Sequence, residues 1–180
     1  MIHLETNRLI LRNWKNEDLH TFIKMNSDKE IMKFFPNILT KDETINFYNK
    51  INDELNTYGY GLYACELKSN KNFIGFIGFH NTTLPGIIND NFIEIGWRIN
   101  KIYWNNGFAS EGALACIKHG FTNLNFQQIY SFTSKLNIPS QKVMKKIKMN
   151  YLKDFNHPRV SKNSKLYPHV LYYIKNDKGT

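Results

Sequence analysis

The chain has little cysteine: two residues, Cys65 and Cys116, far apart in 180. Neither belongs to a C-x-x-C pair or a Cys/His cluster with metal-ligand spacing. That argues against a disulfide framework or a metal site and leaves both as reduced core residues. No run of 18 apolar residues occurs and no charged-then-apolar leader opens the chain, so no membrane association is expected and the expected location is cytoplasmic. Internal repeats and low-complexity runs are missing as well. Acids are the scarcer charge, 15 against 24 lysines and arginines, for a net charge of +9. Such a balance suits nucleic acid, an anionic membrane or a polyanionic small molecule. The lysines are spread along the whole length and cluster only in KVMKKIK (142–148), and no RNP, KH or zinc-finger motif is present. Direct nucleic-acid binding is therefore not expected.

What is present is a globular composition, 42% hydrophobic and 14% aromatic, long enough to bury one core, and residues 1–180 are expected to form a single domain. RLILRNW (8–14) reads as a short strand leading into a helix over NEDLHTFIKM, with Asn16 as its cap. TKDE (40–43) has the pattern of a capping box, and Ile45, Tyr48, Ile51 and Leu55 carry the apolar stripe of the helix behind it. LYACEL, NFIGFIGFH and FIEIGWRI read as three strands of an antiparallel meander, the last two separated by a polar loop from about Asn81 to Asn91. Gly75 and Gly78 weaken the second strand unless something packs closely there. A helix over ASEGALACIKHGFTNL, a strand at QIYSFTS, a helix over NIPSQKVMKKIK and strands at YLKDF and HVLYYIK complete an α+β order.

The stretch YWNNGFASEG (103–112) joins the third meander strand to the next helix. Gly107 and Ala109 leave backbone N–H groups unobstructed, and a helix N-terminus adds unpaired donors and partial positive charge, which together make an anion cradle. The alternative is an ordinary turn capped by Ser110. The stretch is not a phosphate-binding P-loop, because G-x-x-x-x-G-K-[ST] is absent, and it lacks the three glycines of a dinucleotide fingerprint.

With its surroundings the stretch resembles the coenzyme A loop of the GNAT superfamily of N-acetyltransferases, [RQ]-x-x-G-x-[GA]. Gly107 and Ala109 match, and Trp104 replaces the Arg or Gln. The branch of ribosomal-protein alanine acetyltransferases shares that departure as Y-W-x-x-G-Y-A-[ST]-E. LETNRLILR, IMKFFP (31–36), IEIGWRI (93–99), NIPSQKVMKKI (137–147), DFNHP and HVLYYI are similar to the same branch. Where the family's last helix ends in Leu-Gly-Phe this chain has Ile147-Lys148-Met149, which puts Lys148 at a position that favours left-handed backbone.

The resemblance implies a mixed, mostly antiparallel central sheet with helices on both faces, splayed at its centre. It also implies acetyl-CoA as co-substrate, a primary amine as acceptor, no metal, and a monomer or homodimer. The acceptor is either a protein N-terminus or a small molecule such as a polyamine, amino sugar or antibiotic; a non-catalytic acyl-CoA-binding module keeps the same fold. The implied cofactor-binding residues are Trp97, Arg98 and Ile99 along the pantetheine and Asn105, Asn106, Gly107, Phe108, Ala109 and Ser110 at the pyrophosphate. Asn137 is placed on the pantetheine arm. Glu94 is the implied base, Ser140 the implied proton donor to the leaving thiolate, and Phe35 and His80 border the acceptor. The tyrosine that many members use as the acid is Met144 here. Glu94, Asn137, Ser140 and His80 also have ordinary readings, as a solvent-facing or hydrogen-bonded strand residue, two helix-start residues and a structural histidine.

Overall fold

A computed structural model describes residues 1–176, without the side chain of Asn89. The strands are β1 (Ile2–Glu5), β2 (Leu9–Arg12), β3 (Leu62–Leu67), β4 (Phe73–Leu84), β5 (Ile88–Ile99), β6 (Gln128–Ser134), β7 (Asn150–Asn156) and β8 (Pro168–Lys175). The helices are α1 (Asp18–Ser27), α2 (Lys41–Tyr58), α3 (Phe108–Thr122) and α4 (Ile138–Lys146). All eight strands form one sheet in the order β1-β2-β3-β4-β5-β6-β8-β7. Every neighbouring pair is antiparallel except β5 and β6, which run parallel and meet at a single register pair, Glu94 with Tyr130. Beyond that rung the two strands part, and the sheet opens into a fork.

Alternation along β4 assigns the two faces. Phe76 meets Phe22 of α1 and Phe47 of α2 edge-on. Gly112 and Gly120 of α3 lie against Ile77 and Phe79, which point the other way. Helices therefore cover both faces. One core, with Leu9, Leu11, Phe22, Tyr63, Ile77, Phe79, Ile95 and Ile117 among its buried members, joins the helices to the sheet.

Gly75 and Gly78 have the close neighbours that their place in a strand requires. With φ of 137° and 159°, a Cβ would stand 2.0 Å from the Arg98 carbonyl oxygen at Gly75 and 2.1 Å from that of Gly61 at Gly78. The capping box is complete: the Glu43 N–H donates to Thr40 Oγ1 at 3.2 Å and the Thr40 N–H donates to the Glu43 carboxylate at 2.7 Å. Lys148 takes φ 61°. Cys65 and Cys116 are both buried and free.

Two local readings are corrected. Asn16 does not cap α1, which starts at Asp18 behind Glu17; Asp18 instead accepts from the Lys15 N–H and takes both ends of the Arg12 guanidinium. The polar stretch 81–91 is mostly strand, because β4 and β5 extend as a hairpin as far as the pair Leu84 and Ile88. Its arms are largely half-buried, so polar side chains alternate there without breaking the ladder. Sequence reading assigns no element to β1, which pairs with β2 although IHLE is too short for a periodicity to declare itself.

Candidate active site

The fork between β5 and β6 opens into a cavity of about 860 Å³. Its walls include Ile95 to Ile99 on one arm and Ser131 to Ser134 on the other, closed over by residues 33–36 from the α1–α2 connection. The Ser131 hydroxyl donates across the base of the fork to the Ile95 carbonyl at 2.9 Å.

At one end lies the start of α3. Asn105 and Gly107 both take left-handed backbone, φ 62° and 80°, and turn the chain sharply into the helix. Gly107 is the N-cap residue and no side chain caps it, so the Ser110 turn does not form. A Cβ at Gly107 would meet only two cationic tips, Arg8 Nη2 at 3.6 Å and Lys146 Nζ at 3.9 Å. Open helix donors, a positive helix end and two cations fit a pyrophosphate. Asn106 is the one expected loop residue that does not line the cavity; its side-chain amide donates back to the carbonyls of Tyr103 and Trp104 and shapes the turn. Glu111 is committed elsewhere, accepting from Thr6 Oγ1 and from Arg8, which ties the β1–β2 turn to α3.

The middle of the cavity holds α4. Asn137 caps it by accepting from the Ser140 N–H at 3.2 Å and donates to Thr133 Oγ1 at 2.9 Å, so both its side-chain ends already serve the fold. Ser140 lines the cavity in the first turn, and Met144 is buried and has no proton to give.

At the other end Glu94 and His80 face each other across β4 and β5. His80 Nδ1 donates to Glu54 of α2 at 2.8 Å, and that bond holds the imidazole above its usual pKa. Burial pushes the Glu94 carboxyl up to about 7, against the opposing pull of His80 and Arg159. A carboxyl that titrates near neutrality in a cleft has the property that a proton acceptor needs.

Arg98, on the same face as Glu94, is buried with its guanidinium 4.2 Å over Phe35, and donates to Asn26 Oδ1 at 2.6 Å. Burial lowers its pKa to about 10 and leaves it charged. Trp97, Ile99, Phe108 and Ala109 also line the cavity, as do Phe35 and His80. Sequence reading singled out neither Lys146 nor Arg159, although the segments that carry them, NIPSQKVMKKI and the polar loop after β7, are legible as parts of the site, and it missed Glu54, which reaches the site only through His80.

Residues 8–150 match the family model described as an acetyltransferase (GNAT) domain. An uncharacterized N-acetyltransferase, YnaD of Bacillus subtilis (strain 168), is 33% identical over 149 residues, 82% of each chain. A solved GNAT-family acetyltransferase from Bacillus anthracis is 30% identical, covers 97% of this chain and 98% of its own, and superposes with a TM-score of 0.79. The ribosomal-protein-S5-alanine acetyltransferase from Vibrio fischeri shares the fold, with a TM-score of 0.76 at 16% identity over 98% of both chains.

Proposed function

Because the chain belongs to the GNAT acetyltransferase family, and is thus an acyltransferase, we propose that this cavity acetylates the α-amine of its acceptor at the expense of acetyl-CoA. The observation that carries the reading is the convergence on one cavity of an uncapped, cation-flanked α3 N-terminus and the Glu94 carboxyl across the opening of the sheet.

Bound acetyl-CoA supplies the acetyl group as an activated thioester. The N–H groups of Phe108, Ala109 and Ser110, with Lys146 beside them, hold its pyrophosphate, and the stretch of β5 from Trp97 to Ile99, free on its β6 side, lies along its pantetheine. Glu94 accepts the proton of the incoming ammonium and holds the free amine in place. Ser140 provides the hydroxyl that protonates the leaving thiolate. The bond to Glu54 raises the pKa of His80, and in its charged form the imidazole offsets part of the cost of ionising Glu94.

The pKa of the base favours an α-amine. A lysine-like amine with pKa near 10.4 is about one part in 2,500 unprotonated at pH 7, a penalty of roughly 4.6 kcal/mol, whereas an α-amine near 7.7 to 8.0 faces only about 1 to 1.4 kcal/mol. A carboxyl near 7 is matched to the second. The fold shared with the Vibrio fischeri enzyme, whose name states an alanine acceptor on a ribosomal protein, is compatible with a peptide N-terminus. The test is a calorimetric titration with coenzyme A of wild type and Gly107→Glu. Glutamate at this left-handed position puts a carboxylate where the pyrophosphate belongs, and at least about 100-fold weaker binding is expected. Equal binding by both proteins, or none by a folded wild type, refutes the site.

A further inference from the structure

The chain has four arginines, and their partners divide them into two kinds. Arg8 is paired with Glu111, and Arg12 with Asp18 and Glu66. Arg98 and Arg159 have no carboxylate partner among the described residues, and both line the same cavity. Arg98 is covered by Phe35 and engaged by Asn26, so its charge acts from the floor. Arg159 differs. It stands exposed in the connection between β7 and β8, where one Nη atom donates to the carbonyl and hydroxyl of Thr83 at 3.1 and 3.4 Å. Those two bonds steady the guanidinium against β4 and leave its remaining donors unengaged.

The neighbours of Arg159 add donors. Its own N–H donates to His157 Nδ1 at 3.1 Å, which places the proton of a neutral imidazole on Nε2. Burial and the adjacent His169 keep His157 neutral by lowering its pKa to about 4. His157 also lines the cavity, so this wall presents hydrogen-bond donors beside Glu94.

Acidic groups are few. Among the described residues, the only Asp or Glu on the cavity wall are Glu30, already bound to Lys101, and Glu94. Against them stand Lys33, Arg98 and Arg159, besides Lys142 and Lys146 of α4. A second ammonium on the acceptor finds no free carboxylate here, whereas a carboxylate finds a steadied arginine fork.

We propose that the acceptor carries a carboxylate near the reacting amine, and that Arg159, with His157 beside it, is the residue that recognises it. This inference rests on the acetyltransferase reading and deepens it. The shared chemistry has two sources, a small acidic amine or a peptide N-terminus followed by an acidic residue, and a spermidine-like polyamine is a poor acceptor under either.

The test compares kcat/KM for matched α-amines that differ by one carboxylate. Aspartate α-amide is set against aspartate diamide, and alanyl-aspartate amide against alanyl-asparagine amide, with spermidine alongside. The panel is run on wild type, Arg159→Gln and Arg159→Lys, each also titrated with coenzyme A. Wild type is expected to favour the acid of at least one pair by about 10- to 100-fold, and which pair responds identifies the source. Arg159→Gln is expected to collapse that ratio to about one with coenzyme A affinity unchanged, and Arg159→Lys to restore only part of it because it lacks the fork. Flat ratios in wild type, a preference that survives in Arg159→Gln, or spermidine as the better acceptor would each overturn the inference and leave the acetyltransferase reading standing. Acids that are neither acetylated nor stabilise the coenzyme A-loaded protein against heat overturn it too. A folded wild type that binds no coenzyme A overturns both.

Discussion

The two ends of the cavity are built in opposite ways. At the α3 end the ligand-facing groups are mostly backbone, supplied by one loop of consecutive residues whose turn is set by Asn105 and Gly107. At the Glu94 end they are side chains drawn from three separate segments: His80 on β4, backed by Glu54 of α2, Glu94 on β5, and His157 and Arg159 after β7. The first design suits a ligand part that does not vary, such as the pyrophosphate proposed above, for which amides suffice. The second can be retuned one side chain at a time. Within one family this contrast lets a constant donor meet many acceptors.

If the contrast is right, substitutions at the two ends should alter different constants. Glu94→Gln should lower kcat/KM by about 10²- to 10⁴-fold, the usual worth of a general base, with coenzyme A affinity unchanged. The wild-type profile should rise with pH through a midpoint near 7, because the base works ionised and loses that form as pH falls; a flat profile would remove Glu94 from the role. Lys146→Ala belongs to the other end. It should weaken coenzyme A about 10-fold in calorimetry and leave kcat within about twofold, since a single exposed charge on a phosphate is worth little more. Ser140→Ala sits between the two and should lower kcat by only a few-fold with unchanged affinities, because a thiolate is a good leaving group that water can protonate. A large loss of coenzyme A affinity in Glu94→Gln would erase the distinction between the ends.

The same contrast explains what the sequence made legible. The capping box at Thr40 and the left-handed Lys148 are local, fixed by backbone rules over a few residues, and each appears as read. The hairpin extension through 81–91 was not legible, because half-buried strands alternate polar residues that elsewhere mark a loop. Asn16 lost the α1 start to Asp18, which is held by Arg12 six residues before it, a side-chain pairing that capping preference alone does not weigh. Glu94 could be placed on a strand, yet its raised pKa comes from burial contributed by other segments. Arg159 gave no signal of its own: it becomes conspicuous only when the acids that would neutralise it are found elsewhere.

The single rung between Glu94 and Tyr130 makes the active site the seam of the molecule. Strands β1 to β5 form one leaf and β6 to β8 the other; besides that rung and the Ser131 bond they are joined by the bonds of Arg159 and Lys153 to the β4–β5 hairpin and by the packing of Leu84 and Phe92 against Phe155 and Leu171. A substrate bound in the seam therefore also acts as mortar, adding RT ln(1 + [L]/Kd) to the work of separating the leaves. Substrate supply and the lifetime of the folded chain are in this way two readings of one equilibrium.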